Sequence, residues 1–109
     1  MISASLGRSG VRLAVAAALS LYLGVAHAEE SKVTIDNFTF APAELKVKVG
    51  DTVTWSNHDD IPHTVVSAGK FRSKAMDTDG TFSFTFTAAG EYKYFCSLHP
   101  HMTGMITVE

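Results

Sequence analysis

The chain has 109 residues, 46% apolar, 18% charged and 10% aromatic, a globular composition with room for one domain. Its net charge of −2, with no basic block, gives nucleic-acid binding no electrostatic support. A single cysteine, Cys96, excludes an intrachain disulfide.

At the N-terminus, Arg8 and Arg12 precede the uncharged apolar run Leu13–Ala26, followed by Ala26-His27-Ala28 and then Glu29-Glu30. A basic start, a short apolar core and small residues at −3 and −1 make a secretory signal peptide over residues 1–28, cleaved after Ala28. The 14-residue run is shorter than the roughly 20 residues a spanning helix needs, so no stable membrane insertion is expected. The mature chain, residues 29–109, then has 81 residues and a net charge of −4. In an oxidising exported compartment, read as a bacterial periplasm, a solitary cysteine has to be paired between chains, buried or held by a metal.

The rest reads as short strands. Alternation marks Val33–Phe38 and Leu45–Val49, a Gly50-Asp51 turn leads into Thr52–Trp55, and Phe82, Phe84 and Phe86 put three rings on one strand face. Ala89-Gly90 punctuates before Glu91–Phe95, and the chain closes on Met105–Val108. The irregular stretch Ser67–Gly80 reads as a surface excursion with room for one short strand. Half-apolar strands about every ten residues predict an all-β fold, an antiparallel Greek-key β-sandwich occupying all of residues 29–109. A core that small commonly needs a staple, and a disulfide is not available.

The chemistry lies near the C-terminus. Cys96, His99 and Met102 follow one another at intervals of three on a loop between two predicted strands, and His63 lies upstream. On composition alone, a His at +3 and a Met at +6 from a cysteine coincide roughly once in 500. One thiolate, two imidazoles and a thioether are the ligand set of a blue-copper electron-transfer site. Zinc competes, but a structural zinc site normally brings a second cysteine, and a thioether favours copper. A nucleophilic Cys–His pair competes too, yet Cys96 closes a predicted core strand where access is poor.

Two stretches carry a family resemblance. Val49-Gly50-Asp51-Thr52-Val53-Thr54-Trp55 through Pro62-His63, and Ala89-Gly90-Glu91-Tyr92-Lys93-Tyr94-Phe95-Cys96 through His99-Pro100-His101-Met102-Thr103-Gly104, resemble the cupredoxins. These are the type 1 copper proteins of the plastocyanin/azurin group, and the resemblance is strongest to their amicyanin-like members. It implies one Cu(I)/Cu(II) ion per chain, with His63, Cys96 and His99 in plane and Met102 axial. Met105, the other nearby methionine, is expected in the core. Thr64 stands where amicyanin-like members carry Asn, and the resemblance implies that it ties the two ligand loops together around Ser97. His101 replaces an aromatic residue beside the exposed edge of His99.

The resulting expectation is a periplasmic, soluble one-electron carrier, monomeric and not an enzyme. By resemblance its redox partners are a dehydrogenase donor and a c-type cytochrome acceptor. The alternative is a copper-handling protein without a dedicated redox partner, in which Met76, His58 and His101 add weak sites.

Overall fold

The computed structural model describes residues 28–109, so the predicted leader lies outside the described residues up to residue 27. Nine strands follow: β1 (Glu30–Asp36), β2 (Thr39–Ala41), β3 (Glu44–Val47), β4 (Thr52–Asn57), β5 (Val66–Ser67), β6 (Phe71–Arg72), β7 (Thr81–Thr85), β8 (Gly90–Phe95) and β9 (Thr103–Val108). They form two sheets, in the orders β2-β1-β4-β7 and β3-β9-β8-β5-β6. The described residues contain no helix.

The expected sandwich is present, built from mixed sheets. β1 runs parallel to β4 (Glu30 opposite Thr52, Ile35 opposite Asn57), and β3 runs parallel to β9 (Glu44 opposite Met105). Alternation reports which face a residue takes and is silent on strand direction. Because β3 lies in the opposite sheet from β1, β2 and β4, the chain crosses over between β1 and β4, and that crossing permits a parallel return.

Alternation does set the core. Val33, Ile35, Val53, Trp55, Tyr94, Ile106 and Val108 are buried from the inner faces of four strands. Phe82 and Phe84 are half-buried along β7, and Phe86, just past its end, is buried on the same face. The excursion holds the short strand for which it has room, β6. Phe71, in β6, sits 4.7 Å from Phe84, 5.8 Å from Phe86 and 6.0 Å from Phe82 between ring centroids. β6 and β7 are edge strands of different sheets, so Phe71 closes one open side of the sandwich.

Two local features position the end of the sandwich that carries His63, Cys96 and His99. Asn37 and Phe38, both at positive φ (52° and 59°), form the two-residue turn of the β1–β2 hairpin, with Asp36 opposite Thr39. This is the turn whose twist matches flanking strands, but it normally selects Asn or Gly rather than a bulky ring. On β9, Gly104 faces Tyr94 of β8, and a Cβ at Gly104 would meet that ring at 2.4 Å. Only glycine lets the two strands pair with Tyr94 packed inside.

Candidate metal centre

Three segments converge at this end of the sandwich. β4 ends at Asn57, whose fully buried side chain organises the next loop. Its amide donates to the carbonyls of Ile61 and Met76, each at 2.9 Å, and its oxygen accepts the Asp59 N–H at 2.9 Å. The loop therefore delivers His63 into a backbone pairing with Met76, at 3.2 and 2.9 Å. His63 has no exposed surface.

The His63 ring is oriented from behind. Its Nε2 lies 2.8 Å from Asp59 Oδ2, and the same carboxylate accepts the backbone N–H groups of Asn37 (2.6 Å) and Phe38 (3.0 Å). The Phe38 N–H, ahead of the Asn37 and His63 contributions, holds the Asp59 carboxyl below its ordinary pKa against the opposing effect of burial. An ionised carboxylate on Nε2 fixes the proton there and leaves Nδ1 as a free lone pair. Phe38 is thereby held with its ring edge-on to both His63 and His99, at 5.5 and 5.1 Å between centroids.

Cys96 follows β8 directly and is fully buried. The Nδ1 atoms of His63 and His99 each lie 3.7 Å from its Sγ, and the three donor atoms all fall within 4.8 Å of one another. Among the described residues this is the one group of three or more His, Cys, Asp or Glu side chains placed to hold an ion. The spacing fits a metal-bridged pair. With metal–sulfur near 2.3 Å and metal–nitrogen near 2.0–2.1 Å, the S···N edge is about 3.6 Å at a tetrahedral angle and about 3.8 Å at a trigonal one.

The sulfur is prepared for that role. Burial opposes the thiolate, but the Thr64 N–H (3.3 Å), the two imidazoles and the Thr64 hydroxyl (3.7 Å) outweigh it and bring the Cys96 pKa from 9.0 down to about 6. Thr64 also ties the ligand loops as expected. Its Oγ1 accepts the Ser97 N–H at 2.7 Å and pairs with Ser97 Oγ at 2.8 Å. The loop closes on itself: the His99 N–H donates to the Cys96 carbonyl (3.3 Å), the Met102 N–H to the His99 carbonyl (2.9 Å), and the Cys96 N–H to the Met102 carbonyl (3.1 Å). Met102 is 3% exposed and shares the buried cluster with Cys96.

The neighbouring methionines and histidines fall elsewhere. Met105 is half-buried outside the core, beside Ala43, Ala68 and Pro100, because strand alternation gives the inward positions to Ile106 and Val108. Met76 is buried core, and His58 and His101 are exposed and outside the three-donor group. Sequence reasoning missed Asp59 and Phe38. The one signal for Asp59 was a carboxylate four residues before a ligand-type histidine.

Known proteins share these features. The family model for the cupredoxin-like domain matches residues 11–108. Amicyanin from Paracoccus denitrificans is 40% identical over 83 residues, 71% of this chain and 63% of its own length. This chain thus spans somewhat less than two thirds of that relative. Amicyanin-alpha from Methylorubrum extorquens is 32% identical over 98% of this chain and 95% of its own length, and a chloroplastic plastocyanin from Tetradesmus obliquus is 33% identical over 98% and 85%. Among solved structures, a methionine-to-alanine mutant of amicyanin in the Cu(I) form superimposes with a TM-score of 0.71 at 37% identity, covering 73% of this chain and 82% of that one. With a two-sheet sandwich, a buried thiolate flanked by two imidazoles and these likenesses together, the chain belongs to the cupredoxin-like family.

Proposed function

We propose that this protein is a periplasmic type 1 copper protein that carries single electrons between redox partners. The observation that carries the reading is the buried Cys96 sulfur with one imidazole Nδ1 at 3.7 Å on either side. His63, Cys96 and His99 would hold the ion through their converging donor atoms, and Met102, following at the family's spacing, would add a thioether donor. The bound copper supplies a one-electron Cu(I)/Cu(II) couple. The chain's own groups do the rest. Asp59 and the Met76 backbone keep His63 still, Thr64 and Ser97 hold the sulfur, and the sandwich keeps bulk water off it.

His99 is half-exposed, and of the three large exposed hydrophobic residues among the described residues two, Phe38 (45%) and Leu98 (50%), belong to the segments around it. An apolar rim around a ligand edge suits brief docking of another redox protein and passage of the electron through that imidazole. The family relationship supports a dehydrogenase donor and a c-type cytochrome acceptor. The leader motif, residues 1–28, supports export, with residues 29–109 as the mature domain. The copper-handling alternative draws on Met76, His58 and His101 as weak sites; Met76 is packed in the core, and His58 and His101 are exposed and outside the three-donor group.

Titrating the mature protein with Cu(II) tests the reading. One ion per chain should produce an intense blue thiolate-to-copper band, and Met102→Gln should keep the colour and lower the reduction potential, since an oxygen donor favours Cu(II). A colourless complex excludes the type 1 site. An unchanged potential excludes Met102 as the axial ligand.

A further inference from the structure

The first residue after the expected cleavage point is seated by a carboxylate. Glu29 precedes β1, and its backbone N–H donates to Asp51 Oδ1 at 2.9 Å while its carbonyl accepts the Thr52 N–H at 3.0 Å. Asp51 is only 5% exposed. Its other oxygen accepts the Lys48 N–H at 2.8 Å, so the carboxylate is held between the segment before β1 and the segment after β3, while its backbone carbonyl accepts the Phe86 N–H at 2.9 Å.

In the precursor the Glu29 nitrogen is a neutral amide with one proton. Hydrolysis of the Ala28–Glu29 bond leaves a carboxylate on Ala28 and an ammonium on Glu29, with three protons and a positive charge at the same place. We propose that Asp51 is the seat of the mature N-terminus, where processing turns a neutral hydrogen bond into an ion pair with a buried carboxylate and fastens the start of β1. This rests on the export reading above and adds to it the receiving residue and the consequence for the fold.

The surroundings favour the pair. The Lys48 and Glu29 N–H groups already hold the Asp51 carboxyl below its ordinary pKa. The charged side chains lining the same cleft are those of Glu29, Lys46, Lys48 and Glu109. Lys46 is engaged with Glu109 at 3.6 Å, Glu30 follows on β1, and β7 brings Thr85 opposite Thr52 with no charge. The Lys48 side chain is thus the cation that competes for Asp51. The α-amino group's pKa rises above its usual range of about 7.7–8.0, so its contribution is complete below that range and is lost as pH rises through the raised value. On the acid side the contribution is lost as pH falls through the lowered Asp51 value.

The test compares two exported, copper-loaded chains, one native and one with Gly-Ser inserted between Ala28 and Glu29. The native chain should melt about 2–6 °C higher at pH 6. The difference should vanish at pH 10 and in the Asp51→Asn background, and the Glu29 Cα resonance should titrate above the usual α-amino range. Mass spectrometry showing a different first residue overturns cleavage after Ala28 and this proposal with it. A chain that begins at Glu29 but melts like the extended one, or whose amine titrates in the ordinary range, overturns the Asp51 seat alone. Should the Asp51 variant not fold, the titration of the native chain decides.

Discussion

The two imidazoles of the site are held in opposite ways. His63 is completely buried, its backbone is paired with Met76, and its far nitrogen is tied to Asp59, which is itself anchored by two backbone N–H groups from another hairpin. His99 sits half-exposed on a short loop and is positioned by that loop's own backbone and by the edge of Phe38. One imidazole belongs to the scaffold and the other to the surface. The proposed function uses both: the buried side would limit movement between oxidation states, and the open side would bring a partner within reach.

The sharpest way to break this contrast is to delete each ring. In His99→Gly, imidazole added to the solution should enter the open side and restore the blue band of the copper-loaded protein. In His63→Gly the same imidazole should fail, because the cavity is closed and Asp59 has lost its partner. Equal rescue in absorption titrations would show that the two sides are equally accessible.

Asp59→Ala attacks the scaffold side. It removes an acceptor shared by His63, Asn37 and Phe38, and leaves a bulky residue at positive φ without its restraint. A loss of about 1–3 kcal/mol is expected in urea unfolding of the metal-free protein. The sign with pH follows from the lowered Asp59 pKa: its contribution is present above the unfolded carboxylate range and is lost as pH falls through the folded value. The mutant should therefore lose less stability than the native chain on going from neutral to acid solution.

The sulfur between the two sides provides a spectroscopic check. In the metal-free protein the thiolate absorbance of Cys96 should appear with a midpoint of about 6. Its contribution to folding is present above the unfolded thiol pKa and is lost as pH falls through about 6. A midpoint near the ordinary thiol value would mean that the surrounding donors do not act together on the sulfur.

The smallest effect is expected at Thr64. Thr64→Val removes the hydroxyl but keeps the backbone N–H on the sulfur. The reduction potential of the copper protein should then fall by about 28–59 mV, three- to tenfold in a one-electron equilibrium, because a donor to the more electron-rich sulfur of the reduced state has been lost. Thr64→Ser should restore it.

The candidate site was legible because its pattern is local. Cys96, His99 and Met102 carry their spacing within seven residues, and His63 closes a recognisable Pro-His segment. Six strands were legible for the same reason, each long enough to show period two. β2, β5 and β6 are two or three residues long, below the length at which alternation carries information. Phe71 was hidden within an irregular stretch, and its packing against β7 depends on the sheets meeting. Asp59 works through residues 21 and 22 positions away, a contact that only the tertiary fold creates. Phe38 disguised its own turn, since a ring where Asn or Gly is usual reads as the end of a strand. Met105, expected in the core at the start of the last strand, is half-buried outside it, because register gives the inward side to Ile106 and Val108.

The loop from Cys96 to Met102 has its two ends joined to each other by a single hydrogen bond, Cys96 N–H to Met102 carbonyl, with His99 bridging the interior. That makes it a self-contained cassette whose dimensions are set by its residue count. Inserting one residue between His99 and Met102 would force this closure open and displace the thioether while leaving the nine-strand frame untouched. Exchanging the whole span for another with matching ends would keep the frame and change the redox character. The frame and the cassette can therefore vary independently, and under the proposed function one framework could carry sites of different potential.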